Sequence, residues 1–210
     1  MKKAKKILAL LLCAVLLVCA SVAGTLAFLT QQTKTVQNTF TVGNVSLGTD
    51  ADGDGLIDNG LDETKVDEYG VAVAGAARVT ENTYKLIPGH SYTKDPTIHV
   101  AAGSEEAYLF VTVVNEIAAI EDGTTIAAQM AANGWVALDG VENTYYLNRT
   151  VNTLEATGVT DVNVFASFTL KGDAAVADYA NAKITVVAYA VQADGFATAA
   201  AAWAAANFGA

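Results

Sequence analysis

Cysteine, proline, histidine and methionine are nearly missing from this chain, at two residues each in 210. Both cysteines, Cys13 and Cys19, lie in an apolar run near the N-terminus. If that run is removed, the remainder has no thiol, which excludes both a cysteine nucleophile and a disulfide framework. Leu12 and Val18 precede the two cysteines where a lipidation signal would need small residues, so a lipid anchor is not expected. The two histidines, His90 and His99, are nine positions apart with no acid in helical register beside either. A zinc peptidase places two histidines one helical turn apart with a glutamate between them, so no zinc is expected here. There is no G-x-S-x-G turn to expose a serine and no glycine-rich phosphate loop. Basic residues are scarce, 12 against 22 acidic, for a net charge of −10. Such a balance disfavours nucleic acid and anionic membrane surfaces as partners and favours cation binding.

Charge is absent again, but with a pattern, between Ile7 and Ala23. Four lysines (Lys2, Lys3, Lys5, Lys6) precede this uncharged, mostly apolar stretch, and Thr25-Leu26-Ala27 follows as a small-x-small cleavage motif. The layout is that of a secretory signal peptide over residues 1–27, cut between Ala27 and Phe28. An uncleaved membrane anchor is the alternative, since the run is nearly long enough to span a bilayer, but no cationic flank follows it. Cleavage would remove four lysines and no acids, taking the net charge from −10 to −14. The protein is then expected outside the cell, free of the membrane. The closing residues carry no wall-sorting motif, so covalent wall attachment is not expected.

The remaining chain suits one domain, residues 41–210, large enough to bury roughly 70% of its unfolded surface. Period-2 segments dominate it and argue for an all-β fold. Ala107–Val114 and Ile184–Val191 are apolar on both faces and read as central strands covered on both sides. Val164, Ala166, Phe168 and Leu170 alternate with Phe165, Ser167 and Thr169, the pattern of a strand packed on one side. Shorter candidates are Pro96–Ala101, Trp135–Leu138 and Thr144–Asn148. Phe40 and Val42 share one parity and Val45 and Leu47 the other, with Gly43 between them, which predicts a β-bulge. Two short helices are expected. Ile126, Ala127, Met130 and Ala131 recur at helical spacing before Gly134, giving a helix over about 124–133. The alanine-rich tail gives another over about 196–207, with Phe196 and Trp203 on one face for docking on this domain or on a neighbour. The expected architecture is therefore a jelly-roll-like antiparallel β-sandwich with two short helices.

The long connection from Gly48 to Ile87 contains an acidic insertion loop, 48–63, and within it the one candidate ion site. Asp50, Asp52, Asp54 and Asp58 stand at positions 1, 3, 5 and 9, with the Leu56 carbonyl at 7 and Gly55 at the turn. Calcium needs hard oxygens converging on such a tight loop. Position 12 is Leu61 where an EF-hand has glutamate, so Asp62 or Glu63 would have to complete the shell. Calcium is the expected cofactor, with a weak extracellular affinity of about 0.1–1 mM. The alternative is an acidic solvated turn.

Several segments occur in an order that resembles one family. They are G-T-L-A-F-L-T from Gly24, then T-V-x-N-T-F-T-V-G-N-V, then Leu86 through the P-G-x-x-x-T-K-D run of Pro88–Asp95, and finally the closing ITVVAYAVQADGF. Together they resemble the TasA/camelysin family of Gram-positive biofilm matrix proteins, which are processed by a SipW-type signal peptidase. The resemblance implies that peptidase as a partner, cleavage at the equivalent T-x-A, and assembly into fibres with itself and with other matrix components. Residues 28–40 carry only Lys34 as charge and are rich in Thr and Gln, an extended segment suited to joining a sheet edge. Donation of this strand to the next subunit, seated by Phe28, Leu29, Val36 and Phe40, is the expected assembly mechanism. Two other readings stay open: a camelysin-like surface metalloprotease, which the resemblance alone suggests, and a monomeric cell-surface binding module.

Overall fold

A computed structural model describes residues 44–48, 60–206 and 208, together with 3, 5–7 and 10–17 of the N-terminal stretch. The chain divides into two units, Met1–Thr41 and Val42–Ala210. In the first, residues 10–17 are helical. Among the described residues no helix is long and apolar enough to cross a membrane. The Ala27/Phe28 cleavage site and the assembly residues Phe28, Leu29, Val36 and Phe40 lie outside the described residues, as does Gly43 with its expected bulge.

The second unit is built mostly of antiparallel strands with a few short helical segments. Strands β1 (Leu61–Asp62), β2 (Ser91–Thr93), β3 (Thr97–Val100), β4 (Ala107–Asn115), β5 (Trp135–Ala137), β6 (Thr144–Leu147), β7 (Thr160–Asn163), β8 (Ser167–Thr169) and β9 (Ile184–Gln192) follow in chain order. Helix α1 (Ile126–Ala132) lies between β4 and β5, and α2 (Ala199–Ala206) follows β9. One sheet has the order β5-β6-β4-β9, another β1-β3-β7, and β2 pairs with β8. The last two ladders are linked, because the Lys94 N–H donates to Ala166 and the Val164 N–H to Pro96. Leu47 adds an isolated bridge to Val100, beside β1 on the same side of β3.

β4 has the apolar character on both faces that its central position demands. Leu109 and Val111 point into the main core with Ile98, Val100, Val162, Phe168 and Leu170 from the other ladders. Phe110, on the opposite face, packs with Ala199, Ala202 and Trp203 of α2. The helix begins at Ala199, later than expected, so only Trp203 of the two expected aromatics is on it; Phe196, ahead of its start, packs against the same cluster on this domain. Trp203 lies 5.1 Å from Phe110 and 5.3 Å from Tyr189, ring centre to ring centre. Helix α1 has Thr125 as its N-cap, accepting from the Ala128 N–H, and Gly134 past its end. Gly134 has φ 91°, a conformation a glycine takes without the steric penalty other residues incur.

Two expectations fail here. The apolar faces of Ile184–Val191 predict a central strand; among the described residues β9 is an edge, paired only with β4. The continuous strand Val164–Leu170 is broken between β7 and β8, where Phe165 turns inward and Ala166 outward. The cause is Gln129 of α1. Its side-chain oxygen accepts from the N–H groups of Ala166 and Ser167, and its amide donates to the Ser167 carbonyl. A side chain has replaced a neighbouring strand at the break.

Candidate functional site

Antiparallel pairing with β4 occupies alternate N–H and C=O groups of β9, and the others point to the open side of the sheet. Among the described residues those outward groups have no backbone partner. The opposite ladder has its edge covered. Asn133 donates to the Val164 carbonyl and the Trp135 indole to that of Asn163, continuing the cover begun by Gln129. Among the described residues this nine-residue edge has no backbone partner, and an unpaired strand edge is a place where another strand can add.

Beside the Ile184–Val186 end of this edge runs a groove of about 630 Å³, bounded across from it by Leu61–Glu63. Tyr84, Leu86, Ile117 and Phe168 supply apolar walls. Two ring contacts brace them, with Tyr84 set edge-on to Phe168 at 5.4 Å and Tyr92 stacked on Phe168 at 4.7 Å. Burial pushes the Tyr84 phenol far above its usual pKa, and the charges of Glu63 and Asp95 add to this. Burial likewise raises that of Tyr92, against the Ile87 N–H that donates to its oxygen.

The polar floor is an ion-pair network. Lys94 meets Glu63 at 2.5 Å, with side chains only 11% and 5% exposed. The other Glu63 oxygen accepts from the Asn82 amide at 2.9 Å. Arg78 joins Asp62 through its Nε and Asp95 through Nη1 at 3.1 Å, and also donates to Thr97 Oγ1. Its burial would lower the guanidinium pKa, but the hydrogen bonds and charges of Asp62 and Asp95 raise it overall. Asp95 in turn accepts from the Thr64 N–H and hydroxyl. His99 stands between two carboxylates, with Nε2 2.9 Å from Asp62 and Nδ1 2.7 Å from Asp161. Burial pulls its pKa down, yet the hydrogen bonds and charges of the two aspartates together hold it above the ordinary histidine value.

Of the expected calcium ligands, Asp50, Asp52, Asp54, Leu56 and Asp58 lie outside the described residues. Asp62 lies within them, and its carboxylate receives Arg78 and His99. His90 contacts the Tyr69 carbonyl through Nε2 at 2.9 Å and packs against Tyr92. The two histidines therefore have separate partners, and among the described residues no group of three or more His, Cys, Asp or Glu side chains is placed to hold a metal ion. The sequence reading did not single out Arg78, Lys94, Asp95 or Asp161. Lys94 and Asp95 were visible only as part of the T-K-D run; the signal available there was two charges next to Pro96 in a strand-forming stretch.

No family model matches the chain, and no curated protein or solved structure matches it either.

Proposed function

We propose that this chain is a secreted structural subunit of an extracellular biofilm-type matrix fibre. It folds as a jelly-roll-like β-sandwich and polymerises when residues 28–40 of one copy add to the open β9 edge of the next. The observation that supports this reading is the nine-residue β9 edge, unpaired among the described residues, with the groove at its Ile184 end. The position of the incoming chain supports it. Asn44 accepts from the Glu105 N–H, close to Ala107, which pairs with Gln192 at the far end of β9. The two ends of β9 are eight residue steps apart, about 27 Å at ~3.4 Å per step. Donor departure and acceptor groove thus fall at opposite ends of the strand. That favours a head-to-tail contact, which does not close and so builds a filament.

Added backbone hydrogen bonds contribute about 1 kcal/mol or less each and are offset by the ordering of the segment. The decisive contribution comes from Phe28, Leu29, Val36 and Phe40 filling apolar space, about 1.5–3 kcal/mol for each side chain fully buried. Removal of residues 1–27 by the signal peptidase frees the donor, and calcium at the Asp50–Asp58 loop steadies the segment that leads into β1. The test is negative-stain imaging of the mature protein with and without residues 28–37. The full mature chain forms filaments, and the truncated one stays a folded monomer. Filaments of unchanged width from the truncated chain reject the proposal.

A further inference from the structure

Among the described residues, the outer face of the four-stranded sheet is only half covered. Val136, Tyr146, Phe110 and Tyr189 line up as one row across β5, β6, β4 and β9. Trp203 of α2 sits on the Phe110–Tyr189 half. Among the described residues the Val136–Tyr146 half has no such cover, and Val136 is 40% exposed. The step between the helix start and the bare half of the sheet is a second cleft, of about 530 Å³. Tyr146 and Tyr108, both half-buried, stand in it. Asp139, Asn148 and Arg149 are exposed around it. Thr198 is committed, since its hydroxyl caps the Ala201 N–H of α2.

From this arrangement we infer that the cleft is a saccharide-binding site for neutral hexose-based glycans. A pyranose ring has one face of C–H groups, which packs against an aromatic ring, and an edge of hydroxyls, each both donor and acceptor. Tyr146 and Tyr108 offer aromatic surface that is rigid and holds a polar tip. A carboxylate, an amide and a guanidinium, all planar, supply acceptors and paired donors for vicinal hydroxyls. The cleft surface is about evenly polar and apolar, a mixture that suits a ligand with both C–H faces and hydroxyls. An acidic polysaccharide would meet one arginine on a chain of net charge −10, which selects against it. The site is separate from the β9 groove and stands without the fibre reading.

The experiment is calorimetric titration of the purified full-length chain with cellotetraose, chitotetraose and maltotetraose, and with tetragalacturonate as the anionic control. At least one neutral tetrasaccharide binds saturably and the galacturonate does not. Preference for chitotetraose identifies an N-acetylated wall-type glycan, and preference for either of the others a plain glucan. Tyr146→Ala weakens binding at least about tenfold, as does Asp139→Asn, which alters only an exposed carboxylate and so leaves folding intact. Saturable binding to none of the neutral sugars overturns the inference, as does unchanged affinity in the Asp139→Asn variant.

Discussion

Replacing Lys94 by methionine keeps most of the side chain's volume but removes the charge that faces Glu63. The Glu63 carboxylate is 5% exposed and has two partners, Lys94 on one oxygen and Asn82 on the other. After the change a buried anion keeps a single neutral hydrogen bond. Breaking a buried pair in this way costs about 3–5 kcal/mol, because the remaining charge stays desolvated and uncompensated. For a chain of this size about 1 kcal/mol corresponds to a Tm shift of roughly 2–4 °C, so Lys94→Met should lower Tm by roughly 6–20 °C. Glu63→Gln combined with Lys94→Met removes both charges and leaves Asn82 an amide to bond. That double variant should recover most of the loss, since replacing a buried pair as a unit is often neutral. Differential scanning calorimetry of the two single variants and the double one measures the coupling directly. A single-variant Tm within about 2 °C of wild type would refute the reasoning, for it would mean that water in the groove solvates Glu63 as well as Lys94 does.

His99 makes a pH prediction with a definite sign. Its pKa is raised in the fold, so its contribution to stability is complete below the unfolded value of about 6.5 and is lost as pH rises through the folded value. The stability of wild type relative to His99→Gln should therefore fall as pH increases past neutrality, read from denaturation midpoints at several pH values; a flat difference contradicts it. At the acidic loop, calcium at about ten-fold excess over Kd should stabilise the fold by about 1–2 kcal/mol, and Asp52→Ala with Asp54→Ala should abolish the gain. The same Tm in millimolar calcium and in chelator would assign the loop to a solvated turn.

Local patterns were legible wherever a segment's neighbours in sequence decide its state. β4, β5, β6, β3 and α1 fall close to where period-2 alternation, the Thr125 cap and Gly134 place them. The ion-pair network was not legible, because Arg78 reaches Asp62 and Asp95 across 16 and 17 residues of a connection without periodicity. The break at Phe165 was hidden for a similar reason: the glutamine that causes it lies 37 positions earlier, on a helix.

β9 marks the boundary between the two kinds of information. The apolar residues on both of its faces meant that both faces would be covered, and they are covered only in part: Ile184, Val186, Ala188 and Ala190 pack half-buried toward the main core and Tyr189 and Val191 toward α2, while Val187 is 42% exposed. Hydrophobicity reports on the two directions in which side chains point. It is silent on the third, along which backbone groups pair, because every residue there presents the same N–H and C=O whatever its side chain. The sequence by itself therefore determined that Ile184–Gln192 is a strand with apolar side chains on both faces. That its remaining side stays unpaired among the described residues, beside a groove floored by Glu63 and Lys94, was decided only when the tertiary structure brought β4 to one edge and left the other without a neighbour.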